Sequence, residues 1–257
     1  MPHFEQAVSA YMTRAVDVVA IDASVDEVTQ VLRDRTYSSV PVVDARGSIV
    51  GVISRTDLIA AGLHPGAHRR SDAPPIRRAG ELMSTGPLVC EPTTSLRAAV
   101  RTCLEHEVHR LFVVDRGRLV GVLSTVDLAA AVRDAGLERR IGEVMTTPIV
   151  TVEARSSVAA ATTLLDERHL TGVVVVEDGW PVGMFAQPDA LASRGLPDPT
   201  PVDQVMDTAL ICLPIDTRMH RAAAFVARLD VRRVIACAGG EAVGVVGGLD
   251  FARAIAG

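Results

Sequence analysis

The 257-residue chain contains no lysine and no asparagine, and all 26 of its basic side chains are arginine. That excludes lysine Schiff-base chemistry, a lysine general base and the lysine of a Walker-type phosphate loop. Aromatic residues make up only 3%, so a core has to be assembled from valine, alanine, leucine and isoleucine. Cys90, Cys103, Cys212 and Cys237 are far apart and form no C-x-x-C pair. Such spacing is expected of reduced, mostly buried small hydrophobes rather than of a disulfide or metal set. No apolar run reaches the roughly 18 residues of a membrane helix. The segment Met1 to Ala10 also lacks the basic-then-apolar order of a signal peptide. A soluble, cytoplasmic chain that engages no membrane is expected. With 31 acidic against 26 basic residues, the chain is a poor match for nucleic acid, whose binding leans on phosphate neutralisation. No nucleophile elbow, zinc pattern or dinucleotide fingerprint occurs, so neither an enzyme, a metal site nor a cofactor is expected.

Repetition is what the chain has. At 48% hydrophobic residues it can fill a sizeable core, and self-similarity recurs at a period of about sixty residues. Met12, Met83, Met145 and Met206 open the four units, and Asp57, Asp127, Asp189 and Asp250 close them, at separations of 45, 44, 44 and 44 residues. A glycine precedes each aspartate by six positions: Gly51, Gly121, Gly183 and Gly244. After each methionine comes a short strand-like run (Val16 to Ile21, Pro87 to Cys90, Ile149 to Val152). A capped helix follows: Ser24 with Glu27 fits a capping box, and Thr94 or Ser95 precedes the apolar face Leu96, Ala99, Val100 and Leu104. Two β-branched runs come next (Val40 to Val43 and Ile49 to Ile53), turning at Gly47; in the third unit Asp178-Gly179 makes the turn. A short helix starts near the aspartate. The fold class is therefore α/β, four strand–helix–strand–strand–helix repeats.

The linkers group the repeats in twos. The stretch between Asp57 and Met83 is the longest, and its excess falls in His64 to Arg78, punctuated by Pro65, Gly66, Pro74 and Pro75. The expected division is 1–137, with repeats over 8–62 and 79–135 and a linker over 63–78, and 138–257, with repeats over 141–195 and 202–257. His64 and His68 are four apart, but Pro65 and Gly66 oppose the helix that would align them as metal ligands. The Arg69-Arg70 and Arg77-Arg78 pairs fit a solvated basic loop. Trp180, beside the Asp178-Gly179 turn, is either a core residue or an exposed contact point.

The segments Ser39 to Leu58 (SVPVVDARGSIVGVISRTDL) and His109 to Leu128 (HRLFVVDRGRLVGVLSTVDL) resemble the second half of a CBS domain, the regulatory repeat named after cystathionine β-synthase. The openings YMTRAVDVV, LMSTGPLVC and VMTTPIVTV are similar to its first strand. The resemblance implies that repeats pair into two pseudo-twofold CBS-pair modules whose clefts take an adenosine-containing ligand: AMP, ADP or ATP, or S-adenosylmethionine. It assigns ribose hydroxyls to Asp57, Asp127, Asp189 and Asp250. It assigns phosphates to Ser54, Arg55, Ser124, His109 and Arg110, and the base to backbone and apolar walls at Pro41, Val42, Phe112 and Val113. A carboxylate is an acceptor-only group suited to a vicinal diol.

Ser54-x-x-Asp57 and Ser124-x-x-Asp127 are equally plain helix-capping sequences that need no ligand. In the third and fourth repeats the hydroxyl is replaced by Ala186 and Gly247, which removes that phosphate contact, and Arg232 and Arg233 are placed to compensate. Two readings remain. One is a stand-alone sensor that binds an adenine nucleotide and controls a separate effector protein, as a four-repeat disc or an antiparallel homodimer. The other is a ligand-independent interaction or oligomerisation scaffold.

Overall fold

The computed structural model describes residues 2–34, 37–62, 78–197, 199–229 and 231–257. His64, His68, the Arg69-Arg70 pair and Arg77 lie outside the described residues. Repeat one contains β1 (Val19–Ala20), α1 (Val25–Asp34), β2 (Ser39–Val43), β3 (Ile49–Ser54) and α2 (Arg55–Ala60). A short helix α3 (Ala79–Leu82) and strand β4 (Ser84–Thr85) follow. Repeat two contains β5 (Val89–Cys90), α4 (Leu96–Glu105), β6 (Arg110–Asp115), β7 (Arg118–Ser124) and α5 (Thr125–Asp134). Repeat three runs β8 (Thr151–Glu153), α6 (Val158–Glu167), β9 (Gly172–Glu177), β10 (Trp180–Ala186) and α7 (Gln187–Ala192). Repeat four runs β11 (Cys212–Pro214), α8 (Met219–Leu229), β12 (Val234–Ala238), β13 (Glu241–Val246) and α9 (Gly248–Ala256).

Each repeat builds one small sheet: its first strand pairs parallel to its second, and its second antiparallel to its third. The parallel pair needs a crossover, which the long helix supplies. The antiparallel pair is a hairpin whose right-handed twist selects two residues with positive φ: Arg116-Gly117, Asp178-Gly179 and Gly239-Gly240. In repeat one the turn is longer and is tied by Asp44 Oδ1, which accepts the N–H groups of Arg46 and Ser48 at 2.8 and 2.9 Å. Ser24 and Glu27 form the expected capping box. Ser95, not Thr94, caps α4 by accepting the N–H of Ala98 at 3.2 Å. Trp180 opens β10 and is 63% exposed, so it is not core. The expectation of mostly buried cysteines holds for Cys103, while Cys90 and Cys237 are half-buried and Cys212 is exposed; all four are free.

The chain divides into two compact units. Unit one comprises Met1–Val16, Leu88–Ile149 and Ile211–Gly257; unit two comprises Asp17–Pro87 and Val150–Leu210. Unit one thus holds the bodies of repeats two and four, joined by a single core in which Leu111, Leu128, Val132, Met219, Ala223 and Phe251 are buried. Its contacts run from α5 to α8 and α9, and from α4 to α9. Unit two holds the bodies of repeats one and three, with α2 against α6 and α7. Two clusters fill it: one around Val28, Leu32 and Ile53, the other around Ala161, Leu165 and Phe185, where Ile59 of repeat one is also buried.

The recurring methionine and glycine find a common cause. A Cβ on Gly51 would lie 2.5 Å from the sulfur of Met83, and on Gly121 or Gly244 2.7 Å from that of Met12 or Met145. Gly183 meets Met206 in the same way. Each methionine therefore plugs the sheet of the neighbouring repeat in sequence: Met12 that of repeat two, Met83 that of repeat one, Met145 that of repeat four and Met206 that of repeat three. Only glycine leaves room for the sulfur and for the backbone carbonyl beside it. Within each unit, then, a lead-in segment is borrowed from the sequence partner of the repeat it serves.

Candidate functional site

Every signature aspartate is the third residue of a helix entered directly from a hairpin strand. One carboxylate oxygen, Oδ2, accepts the backbone N–H of the N-cap: Ser54 to Asp57 at 2.6 Å, Ser124 to Asp127 at 2.7 Å, Ala186 to Asp189 at 2.8 Å and Gly247 to Asp250 at 2.7 Å. The Ser54 and Ser124 hydroxyls donate to the same oxygen at 2.6 and 2.7 Å. Those serines are thus folded onto their own carboxylates. Capping accounts for Oδ2 in all four repeats.

The repeats diverge at Oδ1, and the residue after each methionine sets the difference. Thr13 pairs with Val122, Ser84 with Val52, Thr146 with Val245 and Asp207 with Met184, each opposite the residue that follows the signature glycine. In repeat two the Thr13 hydroxyl reaches Asp127 Oδ1 only at 3.5 Å, the limit of a hydrogen bond. In repeat four Asp250 Oδ1 accepts the Thr146 hydroxyl at 3.0 Å and is ion-paired with Arg253, which also donates to Thr146 Oγ1 at 3.1 Å. Asp250 is buried and its carboxylate already engaged. In repeat three the hydroxyl is absent and Asp207 is the neighbouring charge. Burial, then Asp207, push Asp189 up to about 6, against the Ala186 N–H and Arg55. Burial also raises Asp127, opposed by its Ser124 and Thr13 hydrogen bonds and by Arg110.

Unit one concentrates positive charge beside Asp127. His109 and Arg110 lead into β6, and Arg232 and Arg233 lead into β12. Burial pushes His109 down to about 4, with Arg233 and Arg110 adding repulsion, so its imidazole is neutral at pH 7. Arg110 is drawn down to about 10 by burial and by Arg232, while Asp127 favours its charge; it stays protonated. The two signature helices meet at the same place. A Cβ on Gly248, first residue of α9, would run into the side chain of Thr125, first residue of α5. Two helix N-termini, each with a partial positive charge, thus converge with three arginines and the neutral His109 from repeats two and four. In unit two the corresponding junction carries the buried cation Arg55 and a neutral link: Gln187 donates to Thr56 Oγ1 at 2.9 Å and to the Leu170 carbonyl at 3.2 Å.

Arg55 does not sit where a phosphate contact was expected. Arg55 is buried and donates to the Leu32 carbonyl at 3.0 Å, with its charge felt at Asp189; it serves the junction of repeats one and three. Val42 and Val113 fill the cores. Pro41 and Phe112, one position back, are buried on the opposite sheet face. Arg232 and Arg233 join His109 and Arg110 instead of compensating within a separate second pair. The role of Thr13, Thr146 and Asp207 went unread, although their fixed place after each methionine was a usable signal. Among the described residues, no cluster of three or more metal-ligating side chains occurs, and no helix is long and apolar enough to cross a membrane.

The chain is a tandem of small α/β repeats with capped aspartates at matched positions. The CBS domain family model matches residues 8–64, 79–134 and 141–193, and the chain belongs to the CBS-domain family. Its fourth repeat lies outside those matches but has the same element order. Protein MJ1404 of Methanocaldococcus jannaschii is 25% identical over 272 residues, covering 98% of this chain and 62% of its own length. The chloroplastic CBS domain-containing protein CBSX1 of Arabidopsis thaliana is 30% identical over 148 residues, covering 48% of this chain and 63% of its own. The chain therefore spans a little under two thirds of these relatives. The 5'-AMP-activated protein kinase subunit gamma-3 of Sus scrofa is 32% identical over 120 residues, 46% of this chain and 23% of that one. Among solved structures, protein MJ1225 of M. jannaschii superposes with a TM-score of 0.83 at 16% identity, covering 96% of this chain and 99% of that one. A Pyrococcus horikoshii protein gives 0.70 at 20% identity, over 97% and 99%. These two establish the fold.

Proposed function

We propose that this chain is a nucleotide-responsive regulator that binds an adenosine phosphate with its ribose on Asp127 and its phosphates on His109, Arg110, Arg232 and Arg233. The observation that carries the reading is the convergence of those basic side chains and two helix N-termini beside a carboxylate whose outer oxygen is only loosely engaged. Donors and positive charge at a helix N-terminus suit a phosphate. The name of the gamma-3 relative, a subunit of an AMP-activated kinase, supports AMP as the first ligand to try. Asp57, whose Oδ1 has no partner among the described residues, is the second ribose position. A separate effector protein would read the change, since a ligand shifts an equilibrium only by its differential affinity for two states.

The test is a thermal-shift series with AMP, ADP, ATP, S-adenosylmethionine and adenosine on wild type and on Asp57→Ala/Asp127→Ala. At 100-fold over Kd, binding adds about 2.7 kcal/mol, which is about 5–10 °C at roughly 2–4 °C per kcal/mol. A shift that needs phosphate and disappears in the variant is the expected result. The scaffold reading draws on one observation, that capping alone satisfies Ser54 and Ser124. It predicts no shift with any of the five compounds.

A further inference from the structure

Four cysteines lie in unit one, and two of them touch. β11 and β12 run parallel with Cys212 opposite Ile235 and Pro214 opposite Cys237. Cys212 and Cys237 are thus two positions apart on adjacent strands, which places both on one face of the sheet. The Cys237 thiol hydrogen-bonds to the Cys212 sulfur. Cys212 is exposed and Cys237 half-buried. Cys90 and Cys103, on β5 and α4, are the less accessible thiols, and burial pushes them up to about 11 and about 12. The Cys237 thiol is pushed up to about 11 by burial, with the Cys212 contact adding to it, so it keeps its proton while Cys212 meets solvent.

We propose that Cys212 and Cys237 are an oxidative modification site, closing to an intrachain disulfide that staples β11 to β12. Hydrogen peroxide is the oxidant. The Cys212 thiolate attacks one peroxide oxygen, the O–O bond breaks, and the departing hydroxide takes a proton to leave as water. The Cys237 sulfur then displaces the hydroxyl of the Cys212 sulfenic acid, which leaves as a second water with the Cys237 proton. Two thiols lose two electrons and two protons, and one peroxide becomes two waters. Bond formation brings the sulfurs from hydrogen-bonding contact to about 2.05 Å. β11 has three residues and, among the described residues, pairs only with β12, so a short edge strand is the element that adjusts. The bond lies on the strand that Arg232 and Arg233 lead into, but its formation does not depend on any ligand there.

The chain itself makes the experiment clean. Trypsin cleavage after Arg194, Arg218, Arg233 and Arg253 leaves Cys212 and Cys237 on separate peptides, and Cys90 and Cys103 are divided by Arg97 and Arg101. Full-length reduced protein is exposed to a slight excess of hydrogen peroxide, denatured, alkylated and weighed intact, then digested. Expected are two alkyl groups per chain instead of four, and a tryptic species joining Gly195–Arg218 to Val234–Arg253 that disappears on reduction. Cys212→Ser abolishes it; Cys90→Ser retains it. Four alkyl groups after oxidation, a cross-link through Cys90 or Cys103, or a chain-to-chain species through Cys212 would each overturn the proposal. The wild-type peptide map stands even if a variant folds poorly.

Discussion

Asp127 holds two jobs on two oxygens, and substitutions can separate them. Asp127→Asn keeps an oxygen to accept the Ser124 N–H while replacing an acceptor facing a diol by an amide donor. It is expected to keep most of the stability and lose most of the nucleotide-dependent shift. Asp127→Ala loses the cap as well, at about 1 kcal/mol, read as a lower Tm without ligand. Asp207 makes the opposite case. Where other repeats offer a hydroxyl, it sets a second carboxylate beside Asp189, which disfavours an anionic ligand. Asp207→Thr is expected to add one AMP site per chain in isothermal titration. The same variant has a pH signature. Asp189 has a folded pKa of about 6 against about 3.9 unfolded, so its proton stabilises fully below about pH 4. That contribution is lost as the pH rises through about 6. His109, folded near 4 and about 6.5 unfolded, works the other way, and cancels when variant and wild type are compared. Asp207→Thr lowers the Asp189 value, so its Tm should fall less than that of wild type between pH 4 and pH 6.

At the scale of elements, the methionine–glycine contact is what makes a sixty-residue repeat depend on its neighbour. Gly121→Ala would set a Cβ 2.7 Å from the Met12 sulfur and 3.0 Å from the Thr13 carbonyl oxygen. Overpacking of this kind costs about 1–3 kcal/mol. Met12→Ala in that background removes the sulfur but not the carbonyl, so partial rescue, with a double-variant cost below the sum of the singles, is expected in chemical denaturation. Much at this level was legible. Hairpins announced themselves at Gly47 and Asp178-Gly179, and the helices at Ser24-Glu27 and at Thr94-Ser95, because local turn and cap chemistry is written in adjacent residues. The methionines and glycines were visible as landmarks but not as contacts, since a pairing between separate repeats leaves no local pattern. Arg55 misled for a related reason: a cation inside the signature reads as a phosphate ligand, and only packing shows it turned to the Leu32 carbonyl.

For the whole molecule, the expected division at 137/138 follows chain order, whereas the compact units gather repeats two and four, and repeats one and three. Order along the chain could reveal how many repeats there are and how each is built; which helices share a core depends on side-chain fit between distant segments. A fragment of residues 1–137 would leave α4 and α5 without α8 and α9, and α2 without α6 and α7. We expect it to self-associate through those apolar faces, seen as a dimer or larger species in size exclusion with light scattering. The division also bears on biogenesis. The chain passes between units at 16/17, 87/88, 149/150 and 210/211, so a ribosome delivers them in alternation. Unit two has all its parts once residue 210 has emerged, but unit one waits for the last strand-and-helix segment, ending in the buried Phe251 and Ile255. Phe4 and Val8 share one core with Phe251 and Ile255. A nick in α9 would therefore undo unit one, whose core also holds Phe4 and Val8, and spare unit two.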